Sequence, residues 1–271
     1  SLTSPEVDTS RMYAITASKD GYNSATSSIM IINQIEEKGY LYGNIIDELS
    51  SPLKNVNIHI SKNGESWKTT TDDLAAIGIS DIAVNPDDPS VLYLATGDGD
   101  FGVVKTYSIG IIKSTDGGES WQPTSISFQI QDQIAFRKMI INPDFPDIMI
   151  ATSSDGIYGT ADAWNSFAQV ISGHFKDLEY KPSDYSVIYA TTLDYAGNAK
   201  IYRSIDGGLS FSQSMAGMAI SGKVNRIELA VTPANPDVIY ALCSDAYDNG
   251  FYALYKSSDS GSSWSLIYDN T

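Results

Sequence analysis

The side chains best suited to chemistry in this sequence are aspartates that share short segments with aromatic residues. Asp98 and Asp100 stand beside Phe101 and Tyr107, Asp155 follows two serines, Asp194 precedes Tyr195, and Asp245 and Asp248 flank Tyr247, with Phe251 just beyond. Carboxylates accept hydrogen bonds from sugar hydroxyls, and aromatic rings stack on pyranose faces, so the set reads as a ligand-binding face. Two such carboxylates about 5–10 Å apart would also cleave a glycosidic bond, and Asp98 is the catalytic candidate. Asp, Gly, Asn and Tyr are equally the ordinary residues of turns and loop edges. Asp98-x-Asp100-x-Gly102 matches the opening of a calcium loop, although Ile109 stands where the closing Glu belongs; a solvated acidic loop with no metal or cofactor is the expectation, and calcium on Asp98 and Asp100 the alternative. The glycines at 97, 99 and 102 spell a dinucleotide string without the helix it requires. His59 and His174 have no partners at zinc spacing.

The elements that position these loops are repeated. Ser114, Asp116, Gly118 and Trp121 form the frame Ser-x-Asp-x-Gly-x-x-Trp, which returns as Ser257, Asp259, Gly261 and Trp264. Ser204, Asp206, Gly208 and Phe211 repeat it with Phe as the aromatic. Thr160, Asp162 and Phe167 hold the frame with Trp164 at the glycine place, and Ser61–Trp67 reads as a copy one residue shorter. The closing aromatics lie 54, 46, 44 and 53 residues apart, a pitch that suits four short strands with turns. Gly supplies the positive φ of a tight hairpin, Asp accepts N–H groups of its own turn, and the aromatic packs on the sheet. The frame therefore reads as a self-folding turn between the third and fourth strands of a unit.

A second pattern runs in step. Ile82–Pro86 leads to Val91–Thr96, Met139–Pro143 to Ile148–Thr152, Leu178–Pro182 to Val187–Thr191, and Ile227–Pro233 to Val238–Leu242. Each is a β-branched or aromatic run, a Pro/Asp/Asn turn and a second run, hence two strands and a hairpin. Third strands are expected at Ile109–Ser114, Ala199–Ser204 and Ala253–Ser257, and the fourth begins at the aromatic. The expected fold class is all-β, a β-propeller of four-stranded blades, about five in this chain, with the aspartate-rich loops on the face opposite the repeated turns.

Ser-x-Asp-x-Gly-x-x-Trp resembles the Asp-box, or BNR repeat. Over about Lys54 to Thr271 the chain is similar to Asp-box propellers of secreted bacterial proteins, family 74 glycoside hydrolases, sortilin receptor domains, a photosystem II assembly factor and sialidases. The resemblance implies a propeller and leaves activity open, because the repeat serves catalysts, receptors and scaffolds. A sialidase would need an arginine triad that Arg11, Arg137, Arg203 and Arg226 do not present in pattern, and the sortilin type would carry a disulfide-rich module. The family 74 enzymes use two aspartates in a groove, and Asp98 resembles the position of one of them.

The chain has 17 basic and 33 acidic residues and a net charge of −16, which argues against nucleic-acid and anionic-membrane partners. A hydrophobic content of 42% with 17 Tyr supports a packed core, and no apolar run reaches membrane-spanning length. Cys243 is the single cysteine, so no disulfide forms within the chain, and a buried thiol is expected. Residues 1–53 depart from the repeat and read as a degenerate first blade or the end of a neighbouring β-sandwich, with residues 54–271 as the propeller. Two functions fit: a secreted or cell-surface bacterial module that binds glycan or protein, or a glycoside hydrolase acting on a β-glucan such as xyloglucan. A purely structural segment of a large surface protein is the third. The partner set expected is glycan or protein, with the chain monomeric or part of a larger multidomain polypeptide.

Overall fold

The computed structural model describes residues 10–17, 25–33, 70, 71, 74, 78–98 and 106–269. Contacts divide the chain into Ser1–Ile77 and Gly78–Thr271. In the first unit β1 (Ser10–Ala17) and β2 (Ala25–Asn33) pair antiparallel, with a register shift between Ala14 and Thr16. The short motif copy ending at Trp67, read as closing a fifth blade, lies outside the described residues, as do Asp100 and Phe101.

The second unit holds four antiparallel four-stranded sheets, each a meander in chain order. Sheet 1 contains β3 (Ile79–Val84), β4 (Leu92–Thr96), β5 (Gly110–Ser114) and β6 (Gln122–Ser127). Sheet 2 contains β7 (Phe136–Ile141), β8 (Met149–Ser153), β9 (Gly156–Thr160) and β10 (Ala168–Ser172). Sheet 3 contains β11 (Phe175–Lys181), β12 (Asp184–Thr192), β13 (Ile201–Ser204) and β14 (Ser212–Gln213). Sheet 4 contains β15 (Val224–Val231), β16 (Ile239–Asp245), β17 (Phe251–Ser257) and β18 (Ser265–Asp269). Each fourth strand starts one residue after the aromatic of its turn, close to the expected position. Between sheets, first strands meet first strands (β3 with β7, β7 with β11, β11 with β15), so these strands are the inner ones.

The core lies between successive sheets. Tyr93, Ala95 and Ile111 of sheet 1 pack against Phe136, Met139 and Met149 of sheet 2. Ile150 and Ile157 of sheet 2 meet Phe175, Leu178 and Ile188 of sheet 3. Tyr189 and Ile201 of sheet 3 meet Ile227, Ile239 and Tyr255 of sheet 4, and Cys243 is buried there as expected. Each sheet thus has a leading face toward the sheet before it and a trailing face toward the sheet after it. Strand alternation assigns residues to these faces, so Leu92 and Leu94 lead while Tyr93 and Ala95 trail.

Every inner strand pair carries a register shift at the same place: Ile79/Asp81, Phe136/Lys138, Phe175/Asp177 and Val224/Arg226. A bulge inserts one residue and re-aims the side chains after it. The bulged residues are Ser80, Arg137, Lys176 and Asn225. In the first three sheets the residue after the bulge links its sheet forward. Met139 N–H donates to Asp81 Oδ2 at 2.7 Å, Lys138 Nζ donates to Asp177 Oδ1 at 2.8 Å and to Glu179 Oε1 at 2.7 Å, and Leu229 N–H donates to Asp177 Oδ2 at 2.7 Å.

The repeated turns close by one set of bonds. Ser114 Oγ donates to Asp116 Oδ1 at 2.7 Å, Gly118 N–H donates to Ser114 Oγ at 2.9 Å, and the Ser120 N–H and hydroxyl donate to the two Asp116 oxygens. The same bonds recur at Ser204–Asp206–Ser210, at Ser257–Asp259–Ser263, and at Thr160–Asp162–Ser166. Hydrogen bonds from the hydroxyl of the serine four residues on, and from its N–H and the first Ser, hold the Asp116, Asp206 and Asp259 carboxyls at about 2. In sheet 2, Trp164 takes the glycine place with φ 64° and is fully buried, while Phe167 is exposed. The large ring has moved three residues back along the turn and fills the space against Tyr93.

Candidate functional site

In each sheet the loop from second to third strand and the start of the first strand lie at one end, and the repeated turns lie at the other. The first end gathers Asp98, Asp155, Asp194, Asp245 and Asp248. Asp98 follows β4 and is buried, and its N–H donates to Thr106 O at 2.8 Å. Gly97 before it has φ +108°, and a Cβ there would meet Ala135 Cα at 3.1 Å. This close approach, open only to glycine, seats Asp98 beside the start of β7. Tyr107 is half-buried in the same connection.

The other aspartates of this face serve their own turns. Asp155 accepts from Ser153 Oγ at 2.7 Å and from the Tyr158 hydroxyl at 3.1 and 2.9 Å. Burial, and then this carboxylate, push the Tyr158 phenol well above its ordinary range. Asp194 Oδ1 accepts Ala196 N–H at 2.8 Å, Asp245 Oδ1 accepts Tyr247 N–H at 2.7 Å, and Asp248 Oδ1 accepts Gly250 N–H at 2.8 Å. Three of the expected ligand-binding aspartates are thus Asx-turn residues that fix the loops carrying the aromatics. Among the described residues no group of three or more His, Cys, Asp and Glu is placed to hold a metal ion.

The aromatics of these fixed loops are open. Tyr195 is 65% exposed and Tyr247 97% exposed, each one or two residues beyond a turn-forming aspartate. The two loops adjoin: a Cβ at Gly197 would lie 3.1 Å from the Ala246 Cβ. Asp194 N–H donates to Asn225 O and Ala246 N–H donates to Lys223 O, tying both loops to the start of β15. Phe251 is partly exposed and its ring stacks on Tyr268, 5.8 Å between centroids.

A pair that sequence reasoning did not single out stands behind Tyr195. Arg137, bulged out of β7 and buried, donates from Nη2 to His174 Nε2 at 2.5 Å. His174 Nδ1 lies 3.1 Å from Leu193 O. A carbonyl only accepts and a guanidinium only donates, so Nδ1 carries the ring hydrogen and Nε2 is bare. The His174 ring lies 6.3 Å from that of Tyr195. The signal in the sequence is the apolar-x-x-apolar spacing of Phe136 and Met139, which breaks strand alternation and marks the bulge.

No family model matches the chain. The chain is similar to a curated xyloglucanase of a Paenibacillus species, 28% identical, with the match covering 55% of this chain and 18% of the relative. It therefore spans less than a fifth of that relative's length. Among solved structures it is similar to an ancestral GH74 enzyme, 19% identical with a TM-score of 0.57, covering 71% of this chain and 24% of the other. It is also similar to the GH74 enzyme of Niastella koreensis, 18% identical with a TM-score of 0.51, covering 71% and 30%. At these identities the structural likeness carries the fold, a propeller-like stack of four-stranded antiparallel sheets, and the chain matches only part of each neighbour.

Proposed function

We propose that this chain is part of an extracellular bacterial propeller that binds a β-glucan-type polysaccharide on the face carrying Tyr195 and Tyr247. The observation that carries the reading is the pairing of two open tyrosines on adjoining loops, each loop held by its own aspartate. Rigid aromatic platforms lose little entropy when a pyranose stacks on them. The xyloglucanase relative supports a carbohydrate as the ligand class, and the acidic composition fits a neutral glycan better than a polyanion. Binding to a polysaccharide panel that includes xyloglucan, by affinity electrophoresis, tests it. Retardation by the parent that Tyr195→Ala and Tyr247→Ala each weaken is the expected result. Equal mobility with every polysaccharide, or retardation indifferent to both substitutions, ends the reading.

A second reading, hydrolysis of the same polymer, is favoured by the buried Asp98 at the end of β4. Glycoside hydrolysis uses two carboxyls that flank the scissile bond, and Asp98 would be one of them. Reducing-end release by the parent that Asp98→Asn abolishes would establish it. Retardation without release leaves binding alone.

A further inference from the structure

Tyr195 and Tyr247 stand on loops of different sheets, and one residue joins the two. Asn225 is the bulged residue of β15: Val224 pairs with Asp245 and Arg226 with Ser244, and Asn225 between them falls outside the register. The bulge turns this residue out of the ladder. Its carbonyl accepts Asp194 N–H at 2.8 Å, from the loop of Tyr195. Its Nδ2 donates to Asn249 Oδ1 at 2.7 Å, in the loop of Tyr247. Asn225 is 4% exposed, so its amide is held away from water. The backbone of Asn249 is fixed separately in the left-handed region, φ 61°: its N–H donates to Asp245 O at 3.0 Å and its carbonyl accepts Ser244 Oγ at 2.9 Å. The two loops also approach one another at Gly197 and Ala246.

Packing does not account for an amide at this place. Asn225 Oδ1 is buried and has no hydrogen-bond partner. An unpaired buried oxygen is costly, and an apolar side chain of the same shape would fill the site without that cost. What the amide supplies is the donor to Asn249. The geometry points to Asn225 as the positioning residue of the tyrosine face, holding the Tyr195 and Tyr247 loops at one spacing so that both rings engage a single polysaccharide chain. This role rests on the glycan-binding reading above for its ligand, whereas the spacing itself is a property of the free protein. Two contacts on one chain bind far more tightly than either alone when their separation is fixed to match, and the gain falls as the separation becomes variable.

Two measurements on the full chain test it. Nitroxide labels at Tyr195→Cys and Tyr247→Cys report the spacing by dipolar electron paramagnetic resonance. Cys243 is buried and its thiol is pushed up to about 12, so it stays unlabelled. Asn225→Ala removes the donor, and Asn249→Gly removes the acceptor while keeping a residue suited to φ 61°. Each is expected to broaden the distance distribution, and Asn249→Asp, which keeps an acceptor oxygen, to leave it narrow. In affinity electrophoresis on xyloglucan with both tyrosines in place, Asn249→Gly should weaken retardation several-fold, as Tyr247→Ala does, and add little to Tyr247→Ala in the double variant. An unchanged distance distribution in Asn225→Ala and Asn249→Gly overturns the proposal whatever the glycan result. Broadening with retardation equal to the parent's also overturns it, and so does an additive loss in the double variant, which marks a general loosening of the fold. Broadening with no retardation of any protein by any polysaccharide, the parent included, ends the glycan reading while the spacing role of Asn225 stands.

Discussion

Lys138 of sheet 2 places its ammonium 2.8 Å from Asp177 and 2.7 Å from Glu179 of sheet 3, joining two sheets through their inner strands. Asp177 is buried and also accepts Leu229 N–H, so the lysine neutralises a carboxylate that in turn binds sheet 4. Lys138→Met leaves both acids without their cation. Removing one partner of a buried pair costs about 3–5 kcal/mol, and the partial exposure of Lys138 points to the lower end. A fall of that size in unfolding free energy by urea titration is the expected outcome.

Glu179→Gln is expected to behave differently. Burial raises the Glu179 carboxyl above its ordinary range despite the lysine beside it, with the charges of Asp177 and Asp81 adding to the rise. A raised folded value means that Glu179 contributes stability below its unfolded value, and that this is lost as pH rises through the folded one. At pH 7 the ionised side chain is therefore less well accommodated in the fold than in the unfolded chain. Glu179→Gln should match or exceed the parent's stability at pH 7 and lose that advantage below about pH 4. Thermal midpoints at the two pH values check it.

The Asp206 turn has the opposite sign. Hydrogen bonds from Ser210 first, then Ser204, depress its carboxyl to about 2. A depressed value contributes stability above the unfolded value near 3.9 that is lost as pH falls toward 2. Asp206→Ala should lower the urea midpoint at pH 7, with the gap to the parent closing between about pH 4 and pH 2. A gap that stays constant over that window would contradict the assignment.

Trp164 carries a steric prediction. Trp164→Gly restores the residue that the other turns use, and relieves a left-handed side chain worth about 1–2 kcal/mol. It also empties a fully buried indole site, at about 3–5 kcal/mol. The cavity outweighs the relief, so a net loss of about 1–4 kcal/mol is expected by chemical denaturation. Trp164→Phe should cost less, because the indole N–H is buried without a hydrogen-bond partner.

The strands and turns were legible because each repeat states them locally: a β-branched run, a Pro/Asn/Asp hairpin, and a Ser-x-Asp turn that bonds to itself. The bulges leave only a broken alternation in Ile79–Ile82, Phe136–Met139, Phe175–Leu178 and Val224–Ile227, and which side each residue faces is set by the neighbouring sheet. The candidate face was legible in part. Asp194 and Asp245 stand out by type, but whether a carboxylate serves a ligand or its own turn depends on the conformation of two further residues. Arg137 and His174 stand 37 residues apart in different sheets, and no local pattern joins them.

Each hydrophobic cluster spans two successive sheets and none spans three. Cohesion in this unit is therefore of nearest-neighbour kind, and the free energy of the stack is close to a sum over sheets and over the seams between them. A sheet flanked on both sides owns two seams, while sheets 1 and 4 each own one among the described residues. Unfolding should therefore advance seam by seam, with the two inner sheets, held from both sides, the last to come apart.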